Sequence, residues 1–224
     1  FGSKLKFYAG VPEIFQATKD LIEKDPIYQE YGIKVEHYIV STGMSQVIKG
    51  SSVMPYVEHI WGCELIEGED NQGAPCISEI GFTIDNTSKT RALFEINKGV
   101  NSKDGREGVK VNTKIPEELR RVHFINMVYI ADGPSDIPAF SVVNKNNGAT
   151  FAIYPKGDKK AMKQVEQMRV EGRINMYAEA DYTEGTTAYM WICNKITEFA
   201  ERIREEEKEK IAKYTSAGEP KHLI

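Results

Sequence analysis

The chain has 224 residues, of which 41% are hydrophobic and 28% charged, with a formal net charge of −4. That balance describes a folded chain with a sizeable core, excludes the disordered and low-complexity classes, and argues against nucleic acid as the main partner. No run approaches the ~18 apolar residues of a membrane span, and the opening FGSKLKFYAG lacks a signal-peptide core. The three cysteines, Cys63, Cys76 and Cys193, are widely spaced and odd in number. They suit neither a disulfide framework nor a zinc site, so a reducing, cytoplasmic setting without a membrane is expected.

Helix and strand signals alternate along the chain. Gly10-Val11-Pro12 opens a first helix, whose Ile14, Phe15, Leu21 and Ile22 recur at helical spacing. IKVEHYIV (33–40) is rich in β-branched and aromatic residues and predicts a strand, followed by a tight turn at Ser41-Thr42-Gly43. HIWGCELI (59–66) and ISEIGFTI (77–84), joined by polar EGEDNQGAPC, predict a β-hairpin. A short helix is expected over 89–97 and a long exposed loop over 99–114. INMVYIA (125–131) is nearly continuously apolar, as a strand buried on both faces should be. Beyond it come a helix from about Asp136, a strand TFAIYP (150–155), a helix over 158–171 with Ala161, Val165 and Met168 inward, and a strand INMYAEA (174–180). A long helix from about 186 has the stripe Tyr189, Ile192, Ile196, Phe199 and Ile203, and ends in the solvated run REEEKEK. The expected fold is α/β, a three-layer Rossmann-like parallel sheet with helices on both faces and a hairpin excursion. Residues 1–200 form the core and 201–224 a charged helix and tail.

Ligands bind such sheets at the carboxyl ends of the strands, where Ser41 and Asp132 fall. Asp132-Gly133-Pro134-Ser135-Asp136 delivers two carboxylates onto one turn after an apolar strand. Two converging carboxylates repel, and a hard cation such as Mg2+ relieves the repulsion while keeping waters for a phosphate to replace. Alternatively, Asp136 is only the N-cap of the next helix. The hydroxyl of Ser41, with Thr42 and Gly43, can hold a phosphate oxygen, or can simply cap a helix. Lys89 starts a helix, where a cation opposes the macrodipole, so neutralising a phosphate or carboxylate would explain its place. Lys98, at a helix end, reads as a solvated surface lysine. His37, His59, His123 and His222 are scattered and receive no catalytic role, and Trp61 and Trp191 read as core.

YIVSTGM (38–44), SKTRALFEINKG (88–99) and VYIADGPSDIPAF (128–140) resemble, in order, the second, third and fourth motifs of the haloacid dehalogenase superfamily. The likeness runs from about Lys6 to Ala180 and is nearest to the phosphoserine-phosphatase-like branch, whose hairpin CELIEGED…ISEIGFTID resembles. FYAGVPEIF (7–15) is similar to the stretch that follows the cap domain in such proteins. The resemblance implies a Mg2+-dependent hydrolase of a small phosphorylated metabolite. Ser41, Thr42, Gly43 and Lys89 would bind the phosphoryl group, with Ser41 and Lys89 serving catalysis. Asp132 would bind the metal, and Asp136 would join it or hold it from behind.

One departure is large. The family's first motif, Asp-x-Asp-x-Thr, which carries the nucleophile and the acid/base, does not occur. The nearest string, Glu179-Ala180-Asp181-Tyr182-Thr183, stands at the other end and has Glu in the nucleophile's place. The first-motif strand and the cap are therefore expected upstream of residue 1, and residues 1–224 alone are expected to be inactive and not to close a parallel sheet. The other readings are a non-catalytic phosphate- or metal-binding module, or an inactive fragment of such a hydrolase, and an interaction protein that uses the charged tail 201–213.

Overall fold

The computed structural model describes residues 1–100, 102 and 107–216. The elements, in order, are α1 (Glu13–Glu23), α2 (Pro26–Gln29), β1 (His37–Met44), α3 (Ser45–Lys49), β2 (Val57–Glu69), β3 (Pro75–Phe82), α4 (Asn86–Lys98), β4 (Val128–Ala131), α5 (Ile137–Lys145), β5 (Ala149–Tyr154), α6 (Lys159–Val170), β6 (Met176–Glu179) and α7 (Thr187–Ser216). No helix among the described residues is long and apolar enough to cross a membrane. The three cysteines are free and half-buried.

The strands form two sheets of three. In one, β1 pairs parallel with β2, and β2 pairs antiparallel with β3 as the expected hairpin. In the other, β4, β5 and β6 run parallel. The sheets are not hydrogen-bonded to each other, so β1 and β4 each have one unpaired edge among the described residues. One core nevertheless underlies both: Tyr38, Val40 and Trp61 from the first sheet pack with Tyr129 and Ala152 from the second, beneath Leu93, Ile96, Phe140 and Val165 of the covering helices. On the opposite face Ile14 and Ile192 pack on Phe151, Ile153 and Ala178. Phe124, Phe140 and Phe151 are among the largest fully buried side chains, and burying each stabilises the fold by about 1.5–3 kcal/mol. The architecture is thus α/β, with parallel strands between two helical layers.

The differences from the sequence reading have physical causes. INMVYIA is not a strand buried on both faces. Residues 124–126 form a 3-10 turn, β4 keeps four residues, and Ile130 is 37% exposed because β4 is a sheet edge. Ser41-Thr42-Gly43 is not a turn after the strand but the irregular last half of β1. Its register steps from Val40↔Trp61 to Met44↔Cys63, so three residues of β1 face one of β2 and bulge outward. Gly62 permits this, since a Cβ there would lie 3.0 Å from both Gly43 O and Ser45 N. Leu21 is 40% exposed rather than inward, and Ala161 is only half-buried while Val165 and Met168 are buried. Lys98 is not a free surface lysine, because its Nζ donates to the carbonyls of Val111 and Thr113 and ties down the following loop. Residues 101 and 103–106 of the expected 99–114 loop, with 217–224 of the tail, lie outside the described residues.

Candidate functional site

α4 organises the site. Its N-terminus carries a capping box, in which the Asp85 carboxylate accepts from Thr87 N and Ser88 N while Ser88 Oγ accepts from Asp85 N. At its far end Gly99 is left-handed (φ 77°) and closes the helix, and Asn97 Nδ2 donates to Val122 O, just before β4. At the N-terminal end Ile84 N donates to Cys63 Sγ, and Cys63 Sγ donates to Thr42 O in the bulge. α4 therefore runs antiparallel to β1 and β4. Its first turns lie at the carboxyl ends of both strands, beside the bulge and the DGPSD turn. The role of Cys63 in fastening the bulge to the helix start had no signal in the sequence beyond an isolated cysteine.

Lys89 is the fourth residue of α4, not its first, and its side chain crosses to the DGPSD turn. Its Nζ donates to Asp136 Oδ1 at 2.7 Å, with side-chain exposures of 9% and 3% for the two partners. The same oxygen accepts from Tyr129 OH at 2.5 Å, and Ser135 Oγ donates to Asp136 Oδ2 at 3.0 Å. Asp136 holds the N-cap position of α5, yet its side chain makes no cap hydrogen bond and turns into the core instead. The capping alternative is thereby set aside. Burial, then the charge of Asp136, pushes the Tyr129 hydroxyl well above its ordinary value, so it stays a protonated donor. Tyr129 is the member the sequence reading missed. It reads as one more strand aromatic, and the only hint is that a buried tyrosine hydroxyl needs a partner.

An ammonium has three donors, and Lys89 spends one on Asp136. Its other two have no acceptor among the described residues, although the side chain is about nine-tenths buried. This makes the cluster an under-satisfied cation at a strand edge rather than a closed structural pair.

Asp132 differs from Asp136, although its charge also reaches the Tyr129 hydroxyl. It is exposed at the end of β4, and its carboxylate makes no hydrogen bond or ion pair with a described residue. The expectation that both carboxylates aim at one point is therefore corrected: one is open to solvent and the other has both oxygens engaged. Among the described residues no three His, Cys, Asp or Glu side chains gather as a metal-binding set. Asp132 lies near enough to Tyr182 to raise its hydroxyl further, after burial and Tyr8. Tyr182 N donates to Ala9 O, and Gly10 (φ 79°) packs so closely on the Tyr182 backbone that a Cβ would come within 2.2 Å. Residues 8–10 and 181–183 are thus joined beside Asp132. Asp181 of the EADYT string is spent on Thr183 N and Oγ1.

Ser41 Oγ accepts from Gly43 N at 3.0 Å, which leaves its proton without an acceptor among the described residues. Thr42 and Gly43 are exposed. No hydrogen bond joins this bulge to Lys89 or Asp132; the three share an edge. Two cavities, of about 420 and 260 Å3, lie elsewhere, at the amino ends of the strands. The larger is lined by Gly148, Ala149, Asn175 and Arg202, the smaller by Glu36, Tyr38, His59 and Arg121. The titratable cluster, the free carboxylate and the exposed bulge all belong to the opposite edge, so we place the candidate site there.

No family model matches the chain. No solved structure matches it. An uncharacterized protein of Borreliella burgdorferi is 36% identical over 208 residues, covering 87% of this chain and 68% of that protein. By that identity and coverage, the chain belongs to the same family as the Borreliella protein.

Proposed function

We propose that this protein is a Mg2+-dependent phosphomonoester hydrolase of the haloacid dehalogenase type, acting on a small phosphorylated metabolite. The observation that carries the reading is the Lys89 ammonium, buried with one carboxylate partner and two unspent donors at the carboxyl end of two parallel strands. A phosphoryl group supplies anionic oxygens for such donors, and charge-assisted bonds of this kind are about twice as strong as neutral ones. The free edges of β1 and β4 add a second support. Each carries apolar side chains and unpaired backbone groups on either side of the α4 terminus. In this reading a further strand, from outside residues 1–224, pairs with both and brings an Asp-x-Asp-x-Thr sequence to the same edge.

The chain's own residues would then bind and orient the phosphoryl group. Lys89 donates to one of its oxygens, held in aim by Asp136. Ser41, whose oxygen is fixed by Gly43 N, donates its free proton to another, with Thr42 and Gly43 flanking it. The incoming aspartate forms a bond to phosphorus as the ester P–O bond breaks, and the second aspartate protonates the leaving oxygen and later activates water. Catalysis is mainly stabilisation of charge on the transferring group, which is the part Lys89 and Ser41 play. The donor set fits Mg2+ through one direct ligand, the unpaired Asp132 carboxylate. Asp136, with both oxygens engaged, fits as a holder of neighbouring groups. When bound, the ion would neutralise phosphoryl oxygens.

The test is hydrolysis of p-nitrophenyl phosphate by the full-length protein, with Mg2+ against EDTA. Turnover should require Mg2+ and fall by about 100-fold or more in Lys89→Met, while residues 1–224 alone should be inactive. Phosphate binding without turnover would identify the non-catalytic module instead, and neither binding nor turnover would reject the site.

A further inference from the structure

We infer that Tyr129 is a positioning residue of this site, acting on Lys89 through the Asp136 carboxylate. The inference rests on Lys89 being the phosphoryl-binding cation. Two donors meet on Asp136 Oδ1, Tyr129 OH at 2.5 Å and Lys89 Nζ at 2.7 Å, while Ser135 holds Oδ2 at 3.0 Å. A carboxylate with both oxygens engaged cannot turn about its last torsion without breaking bonds. The oxygen that faces Lys89 is therefore set by Tyr129 together with Ser135, and Tyr129 is the one that holds that same oxygen.

Tyr129 is itself held firmly. It pairs across the sheet with Thr150, and its ring meets Phe140 edge-on, with centroids 5.3 Å apart and planes at 85°. The other residues of β4 are Val128, Ile130 and Ala131, all apolar. A phenylalanine would fill the same space against Phe140. What the hydroxyl adds is the bond to Asp136, since desolvating it otherwise opposes folding. The chain of contacts runs from a rigid strand to a carboxylate to an ammonium that keeps two donors for its ligand. Positioning of this kind is sensitive: small misplacements of a charge-stabilising group reduce turnover far more than binding.

The test compares full-length wild type with Tyr129→Phe. On p-nitrophenyl phosphate, kcat should fall about tenfold with KM within about twofold, at equal folded fraction by circular dichroism. A second readout does not depend on activity: the rate of Lys89 acylation by acetic anhydride, followed by mass spectrometry. In Tyr129→Phe that rate should rise about threefold, because the pair opens more often. Lys98, held by carbonyls at the far end of α4, is the control and should not change. Unchanged Lys89 acylation, or an equal rise at Lys98, would overturn the inference, as would an unchanged kcat in a folded variant. Should wild type show no turnover, the hydrolase reading fails by itself and the acylation result still decides the positioning claim. Should Tyr129→Phe not fold, 3-fluorotyrosine at position 129 keeps the shape and strengthens the donor. Because both donors share Asp136 Oδ1, Lys89 acylation should then shift relative to Lys98, and an unaltered rate would again overturn the inference.

Discussion

Two clusters in this molecule have the same composition, a cation, a carboxylate and a tyrosine, and behave differently. At the amino end of β1, Arg121 grips Glu36 through both Nη atoms, and Tyr38 OH donates to Glu36 Oε2 at 2.6 Å. At the carboxyl end of β4, Lys89 makes one bond to Asp136, beside Tyr129. The first pair is 22% exposed on each side chain, the second 9% and 3%. Arginine's planar fork saturates a carboxylate with two parallel bonds, whereas lysine is a point charge with donors to spare. The more exposed cluster is thus a closed clamp between β1 and the segment before β4. The more buried one is open in hydrogen-bonding capacity, with two Lys89 donors that meet no acceptor among the described residues.

The largest effect separates the two most sharply. Lys89→Met leaves the Asp136 carboxylate buried without a cation and should cost about 3–5 kcal/mol in urea denaturation. Replacing both partners, Lys89→Met with Asp136→Leu, should recover roughly half of that loss, since an apolar pair needs no desolvation. It should recover no phosphate affinity. A single variant as stable as wild type would mean that the pair is not desolvated as described.

Acid should act at the clamp's edge first. Burial, then the charge of Lys19, lowers His37 from 6.5 to about 4. A histidine held neutral in the folded state is protonated more readily when unfolded. Its contribution is therefore complete above pH 6.5 and is lost as pH falls toward 4, in total about 3 kcal/mol. His37→Gln should flatten the stability curve across that window, and an unchanged slope would contradict the burial of His37. At Glu36, burial alone would raise the carboxyl, but the Arg121 and Tyr38 hydrogen bonds bring it below its ordinary 4.5. Its contribution is present above that value and disappears at lower pH.

The sequence made some of this legible and hid the rest for definable reasons. The α/β alternation was readable because apolar periodicity reports which face is covered, as Val165 and Met168 or Ile192 and Phe199 show. DGPSD was recognisable as a turn because Gly and Pro follow an apolar strand. The division of labour between Asp132 and Asp136 was not, because spacing says nothing about which carboxylate turns inward. The long apolar run INMVYIA gave no sign that β4 would be an edge, since periodicity does not report neighbours across a sheet. The bulge at Ser41 was hidden for the same reason: it exists only relative to β2, where Gly62 leaves room for it. Tyr129 was invisible as a polar residue because its partner lies a turn further on in the fold, across the end of the strand.

Smaller effects sharpen the comparison. Arg121→Lys removes the fork and should cost about 1 kcal/mol, with phosphatase turnover unchanged, because the clamp lies at the opposite edge. A loss of turnover at full folding would make the clamp part of the site. Asp132→Asn touches an exposed carboxylate without partners and should shift stability by no more than about 0.5 kcal/mol. Its Mg2+ affinity, read by calorimetry on the full-length protein, should nevertheless fall by about tenfold or more, because a hard cation prefers the anionic oxygen. Unchanged Mg2+ affinity would remove Asp132 from the proposed Mg2+ site.

The central claim is that the unspent donors of Lys89 receive an oxyanion, and a crystal of the full-length protein grown with tungstate tests it most directly. Anomalous density is expected with an oxygen about 3 Å from Lys89 Nζ, between the ends of β1 and β4 and within reach of Ser41. Well-ordered tungstate bound only elsewhere, with Lys89 Nζ filled by further protein acceptors, would contradict it.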